Sequence, residues 1–127
     1  MRPVAAVVAT MIAATLAAVA LPAAAAPDAA RGARLYEARC GGCHAVQADR
    51  IGPRHAGLIG RRAGSVEGFD YSPALKAATL RWDAKALERW LADPESVIPG
   101  QRMGYRLGDA AERADVIAYL ATLAAKR

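Results

Sequence analysis

The stretch Cys40-Gly41-Gly42-Cys43-His44 holds both cysteines of the chain and one of its two histidines. Three chemistries use such a cluster. Two thiols separated by two residues cycle between dithiol and disulfide; thiols and imidazoles together ligate zinc; or the thiols bond covalently to a porphyrin whose iron the imidazole binds. A purely structural disulfide explains the cluster poorly, because closing so short a loop removes little entropy from the unfolded chain.

The surroundings separate these readings. Redox Cys-x-x-Cys motifs open a helix after a strand, whereas here the motif follows a helical stretch and no strand flanks it. A zinc site needs four ligands, or three if catalytic. His55 is the one further soft ligand available to Cys40 and Cys43, with His44 as a strained fourth. For haem the spacing has a physical reason. Cysteines three positions apart lie on one side of a turn, so both thiols reach the two vinyl groups of one porphyrin, and His44 then projects beneath the ring as proximal ligand. Haem c, attached through Cys40 and Cys43, fits the cluster best.

The opposite side of the iron has two candidates. Met1 and Met11 lie in the apolar N-terminal stretch, which leaves Met103, in the Pro- and Gly-rich segment "IPGQRMGY". A methionine outside any helical stripe is a poor core filler and a good sixth ligand. His55, in "GPRHAG", is the rival, but the eleven residues from His44 make a short path round a porphyrin edge. An open or water-bound iron is the third option.

These residues need elements to hold them. Residues 1–26 read as a cleavable export signal: Arg2, an uncharged run from Val4 to Leu21, Pro22, then small residues, with cleavage near Ala25 or Ala26. The run of roughly 18 residues is also at the lower limit for a retained membrane anchor. Residues 27–127 are enough for one small domain. Helical spacing predicts helices over Ala29–Cys40 and Pro73–Ala78, the second started by Ser72 and proline. A third starts at Asp83, carries Leu87, Trp90 and Leu91 on one face and stops at Pro94. The last follows an Asp109–Glu112 capping box and carries Val116, Tyr119, Leu120 and Leu123. Residues 41–68 show no lasting period. The class is all-α, with loops so long that they require something to organise around. The net charge is +5, with acidic and basic residues interspersed, which argues against a nucleic-acid arm and for an acidic protein partner.

Read together, "GPRHAGLIGRRAG", "GFDYS", "LRW", "IPGQRM" and "ERADVIAYL" resemble the class I cytochromes c, the branch that includes the mitochondrial protein and its soluble bacterial relatives. The resemblance covers essentially all of 27–127. It implies a small single-domain cytochrome c fold around one haem. His44 and Met103 bind iron, and Pro53 offers its carbonyl to the His44 N–H that faces away from the metal. Arg61, Tyr71 and Trp82 donate to the haem propionates. Gly32 and Tyr36 meet Tyr119 where the terminal helices cross. Trp90 stands where mitochondrial members have a tyrosine near the methionine sulfur. Leu75 replaces a water-holding asparagine, and Arg102 replaces a lysine.

The function this implies is a periplasmic, monomeric one-electron carrier without a small-molecule substrate. It works between respiratory or photosynthetic redox proteins, whose acidic docking surfaces meet basic residues such as Arg54, Lys85, Arg102 and Arg106. The alternative is a haem subunit or partner-bound domain of a periplasmic oxidoreductase or peroxidase. No acid–base pair in the sequence supports that alternative.

Overall fold

Four of the helices begin where a side-chain oxygen replaces the missing backbone acceptor. The computed structural model describes Pro3 and residues 15–125, so half of the predicted leader, residues 1, 2 and 4–14, lies outside the described residues. Residues 15–28 carry no regular secondary structure. Helix α1 (Ala29–Arg39) then starts at Asp28, whose carboxylate accepts the amides of Ala30 and Arg31 at 2.8 and 2.9 Å. Ser72 caps α2 (Pro73–Ala77) by accepting the Leu75 amide at 3.1 Å. Asp83 caps α3 (Ala84–Ala92), and Asp109 caps α5 (Ala110–Leu120). Such caps each contribute about 1 kcal/mol.

The expected elements are present, with three differences. Pro94 ends α3 and also opens a further short helix, α4 (Pro94–Val97), because a fixed φ and a missing amide suit the first turn of a helix as well as they stop another. Glu112 does not complete a capping box: its amide donates to Asp109, while its carboxylate lies 3.6 Å from Arg39 on α1. Leu123 falls beyond the end of α5, although it still packs against the core.

No sheet forms among the described residues. A lone antiparallel bridge, Arg62 to Arg81, lays residues 60–63 against 80–82, supported by Ala63 N–H to Leu80 O at 2.8 Å and Trp82 N–H to Arg61 O at 2.9 Å. That pairing sets Arg61 and Trp82 side by side. No helix among the described residues is long and apolar enough to cross a membrane.

Helices α1 and α5 form the main helix–helix contact. Gly32 permits it: a Cβ there would collide with the Asp115 carbonyl and come within 2.9 Å of Tyr119 Cβ. The rings of Tyr36 and Tyr119 meet beside it at 5.2 Å. The Asp115 carboxylate is buried at the same crossing. It accepts the Asp28 amide at 2.7 Å and the Arg31 guanidinium at 2.9 and 3.1 Å, and these contacts hold it below the usual carboxylate range, Arg31 contributing most.

Replacing Gly32 by alanine tests the crossing. At an exposed helical position the change would gain about 1 kcal/mol. Here the new methyl meets a backbone carbonyl that cannot rotate away, and overpacking of this kind costs about 1–3 kcal/mol. The expected outcome is a lower guanidinium midpoint for the haem-loaded Gly32→Ala protein; an unchanged or raised midpoint would show that the helices do not meet there.

Candidate functional site

Inside the helices lies a cavity of about 440 Å³. Most of its wall is apolar, built from side chains such as Leu58, Leu75, Leu87, Trp90, Val116 and Leu120. Cys40, Cys43 and His44 stand on this wall because α1 ends against it. The Cys40 amide bonds back to Tyr36 O, and the amides of Cys43 and His44 both bond to Cys40 O, at 3.1 and 2.9 Å. The turn is held from outside as well, by Gly52 N–H to Cys43 O at 2.8 Å.

This location decides against a redox disulfide. A thiol at the C-terminal end of a helix receives none of the stabilisation that an N-terminus gives a thiolate. Burial, with Cys43 adding to it, pushes the Cys40 thiol up to about 11. The zinc reading fails too, since no three His, Cys, Asp or Glu side chains among the described residues come together as a metal site.

The His44 ring is held at one edge by a hydrogen bond from Nδ1–H to the Pro53 carbonyl at 2.8 Å. That bond places the proton on Nδ1 and leaves the Nε2 lone pair free to bind a metal. Burial lowers the proton affinity of this imidazole, and the Pro53 bond partly opposes the effect. Gly52 leaves the ring its space, because a Cβ there would run into Cε1, Nδ1 and Nε2.

His55 does not stand on an opposite wall. Its ring is stacked on that of His44, with centroids 4.1 Å apart and planes 22° from parallel. Its Nδ1 lies 2.8 Å from the Tyr36 hydroxyl. Burial, reinforced by His44 and Arg61, pushes the His55 imidazole down to about 3, so it is neutral at ordinary pH.

Met103 reaches the cavity from a loop secured at both ends. The Glu95 carboxylate accepts the Gly100 amide at 2.9 Å and the Gln101 side-chain amide at 3.0 Å. Beyond Met103, the Leu107 amide bonds to Leu91 O at 2.8 Å. Trp90 packs edge to face on Trp82 at 5.2 Å.

The polar groups on the wall are few and suit an anion. Arg61 is half-buried, and burial lowers its pKa. Its guanidinium bonds only to the carbonyls of Ala56 and Arg54, at 3.1 and 2.8 Å, with no carboxylate at ion-pair distance among the described residues. A cation so placed fits a carboxylate brought in by a ligand. The Tyr71 hydroxyl accepts the Val66 amide at 3.1 Å, which leaves its own proton to donate. The Trp82 indole, buried on the same wall, offers a third donor. Thiols at the rim, an imidazole with a free lone pair, a thioether and three donors in an apolar cavity fit a haem and its propionates.

An all-α shell of this kind, with Cys-x-x-Cys-His at its cavity, defines a protein that carries one covalently attached c-type haem. Residues 29–124 match the family model described as cytochrome c, and the chain belongs to that family of haem electron-transfer proteins, within class I. It is 43% identical over 94 residues to cytochrome c of Gibberella zeae, covering 71% of this chain and 89% of that one. It is 44% identical over 87 residues to cytochrome c2 iso-2 of Magnetospirillum fulvum, covering 66% and 91%. Among solved structures it superposes on cytochrome cH from Methylobacterium extorquens with a TM-score of 0.71 at 38% identity, covering 75% of this chain and 98% of that one.

Every site residue read from the sequence lines this cavity: Cys40, Cys43, His44, Pro53, Arg61, Tyr71, Trp82 and Met103. The basic residues divide differently. Arg102 lines the cavity, whereas Arg54 pairs with Asp49 at 3.0 Å and Arg106 with Asp93 at 2.8 Å; those two and Lys85 are absent from the lining. Arg39, which sequence reasoning missed, is on the lining instead. Its signal was its place in the last turn of α1, directly before Cys40.

A cavity this large sets the stability of the protein without haem. At about 24 cal/mol per Å³, 440 Å³ corresponds to ~10 kcal/mol. That is comparable with the whole stability of a small domain, roughly 5–15 kcal/mol. A Cys40→Ala/Cys43→Ala protein that carries no haem is therefore expected to lose most of its far-ultraviolet helical signal. Native ellipticity in that variant would contradict this.

Proposed function

We propose that this chain is a periplasmic mobile electron carrier in which His44 and Met103 would hold the haem iron as its two protein ligands. The observation that supports this most directly is that a lone-pair-bearing imidazole and a thioether line the same largely apolar cavity. When bound, the haem supplies a one-electron couple, and thioether ligation in apolar surroundings favours its reduced state. Pro53 keeps the His44 proton on Nδ1. Glu95 and Leu107 hold the loop that presents Met103. Arg61, Tyr71 and Trp82 neutralise and satisfy the propionates away from water. With two protein ligands there would be no position for a substrate.

The location follows from the reading of residues 1–26 as an export signal cleaved near Ala25 or Ala26. Its support is that the first helix cap, Asp28, follows directly and residues 15–27 carry no regular structure. The electron reaches partners at the exposed part of the cavity rim. There Ile51 and Tyr105 are exposed and Arg102 brings positive charge, while Arg39, also on the lining, lies 3.6 Å from Glu112. An apolar contact with a cation at its edge suits an acidic redox protein and steers its approach; a monomer suffices for this role.

Two measurements test the proposal. Met103→Ala should abolish the weak near-infrared Met–iron band of the ferric protein and lower its reduction potential, and an unaltered spectrum would overturn the ligand assignment. The basic rim should make reduction by ferrocyanide slow down as salt is added, while reaction with hexaammineruthenium speeds up; the same salt response for both reagents would remove the charged-rim reading.

A further inference from the structure

The histidine that the axial-ligand reading leaves unused has a mount of its own. The His55 amide bonds to Ala45 O at 3.2 Å and the Ala56 amide to Val46 O at 2.8 Å, so its backbone is fastened to the residues that follow His44. The Tyr36 hydroxyl holds the ring at Nδ1, 2.8 Å away, and the phenol packs edge-on to it at 5.5 Å. Tyr36 is itself buried between α1 and α5, against Tyr119. A continuous line of contacts thus runs from the crossing of the terminal helices, through Tyr36 and His55, to the face of His44.

Volume alone does not require an imidazole here. An aliphatic side chain would fill the space but leave a largely buried phenol without its partner. A flat ring nearly parallel to His44 also does what an aliphatic chain cannot. The bond from Nδ1 to Pro53 O fixes one edge of the His44 ring and leaves the ring able to rock about that edge. A second plane against its face, 4.1 Å away and tilted by only 22°, blocks that motion.

The geometry points to His55 as a positioning residue that, clamped by the Tyr36 hydroxyl, sets the rotation of the His44 imidazole plane about its bond to the haem iron. The inference rests on His44 being the axial ligand. The orientation of an axial imidazole plane decides which iron d orbital it overlaps, and so governs the unpaired spin density on the haem periphery. The shifts of the haem methyl protons in the ferric protein report that distribution directly, without reference to electron-transfer activity.

The test compares those methyl shifts in the haem-loaded wild-type, His55→Leu, His55→Phe and Tyr36→Phe proteins. Leucine fills the space without a plane and should reorder or spread the methyl resonances. Phenylalanine restores a plane and should bring the pattern back toward the wild type. Loss of the Tyr36 hydroxyl should move it partway. A wild-type methyl pattern in His55→Leu would show that His55 only fills space and would overturn the inference. Should that variant load too little haem to measure, an unchanged pattern in Tyr36→Phe would overturn it equally. Failure of the underlying ligand reading looks different: a His44→Ala protein that still carries haem would then keep the wild-type ferric spectrum.

Discussion

An apolar space that the polypeptide cannot keep open by itself governs everything else in this molecule. Roughly a hundred residues make a small domain with little core to spare, and here the centre of that core is set aside for a prosthetic group. The long loops between α1 and α3 are tied to one another by scattered backbone bonds, such as His55 to Ala45 and Ala63 to Leu80, and not by regular secondary structure. One side of them lines the cavity that the haem would fill. Covalent attachment through Cys40 and Cys43 suits such a design, since a group that supplies so much of the core must not dissociate.

Electrostatics follow from the same constraint. Ferric haem adds positive charge to an apolar interior, while its propionates add negative charge, and neither is at ease away from water. On the reading proposed above, Arg61, a guanidinium that has only carbonyls for neighbours, would answer the second, and His55, which burial keeps neutral, adds no further charge to the first. Burial depresses both His44 and His55. The result is a site where a change of one electron is the largest electrostatic event, with few titrating groups poised to compensate it.

Much of this could be read from the sequence because the relevant signals are local. Asp28, Ser72, Asp83 and Asp109 cap helices through bonds spanning two or three residues, and Cys-x-x-Cys-His carries its chemistry within a single turn. Gly32 and Tyr36 required the family resemblance, since nothing in their own neighbourhood points to α5. Two misses were local, the short helix α4 that Pro94 opens and the end of α5 before Leu123; the others were long-range. Glu112 has the spacing of a capping box yet reaches Arg39, because α1 lies alongside. Arg54 and Arg106 look free in the sequence but each meets an aspartate. His55 reads from its residue type alone as a rival ligand, and only the fold shows its ring lying flat against that of His44.

The meeting of α1 and α5 places the two ends of the domain on each other, with Asp28 and Arg31 gripping Asp115. The attachment cysteines therefore belong to the first part of the domain to emerge from the ribosome or an export channel, and the helix that closes over the cavity belongs to the last. Until those final residues arrive, α1 has nothing to pack on and Cys40 and Cys43 stay accessible to whatever machinery delivers the porphyrin. Chain order alone thus keeps the door open for as long as biosynthesis lasts.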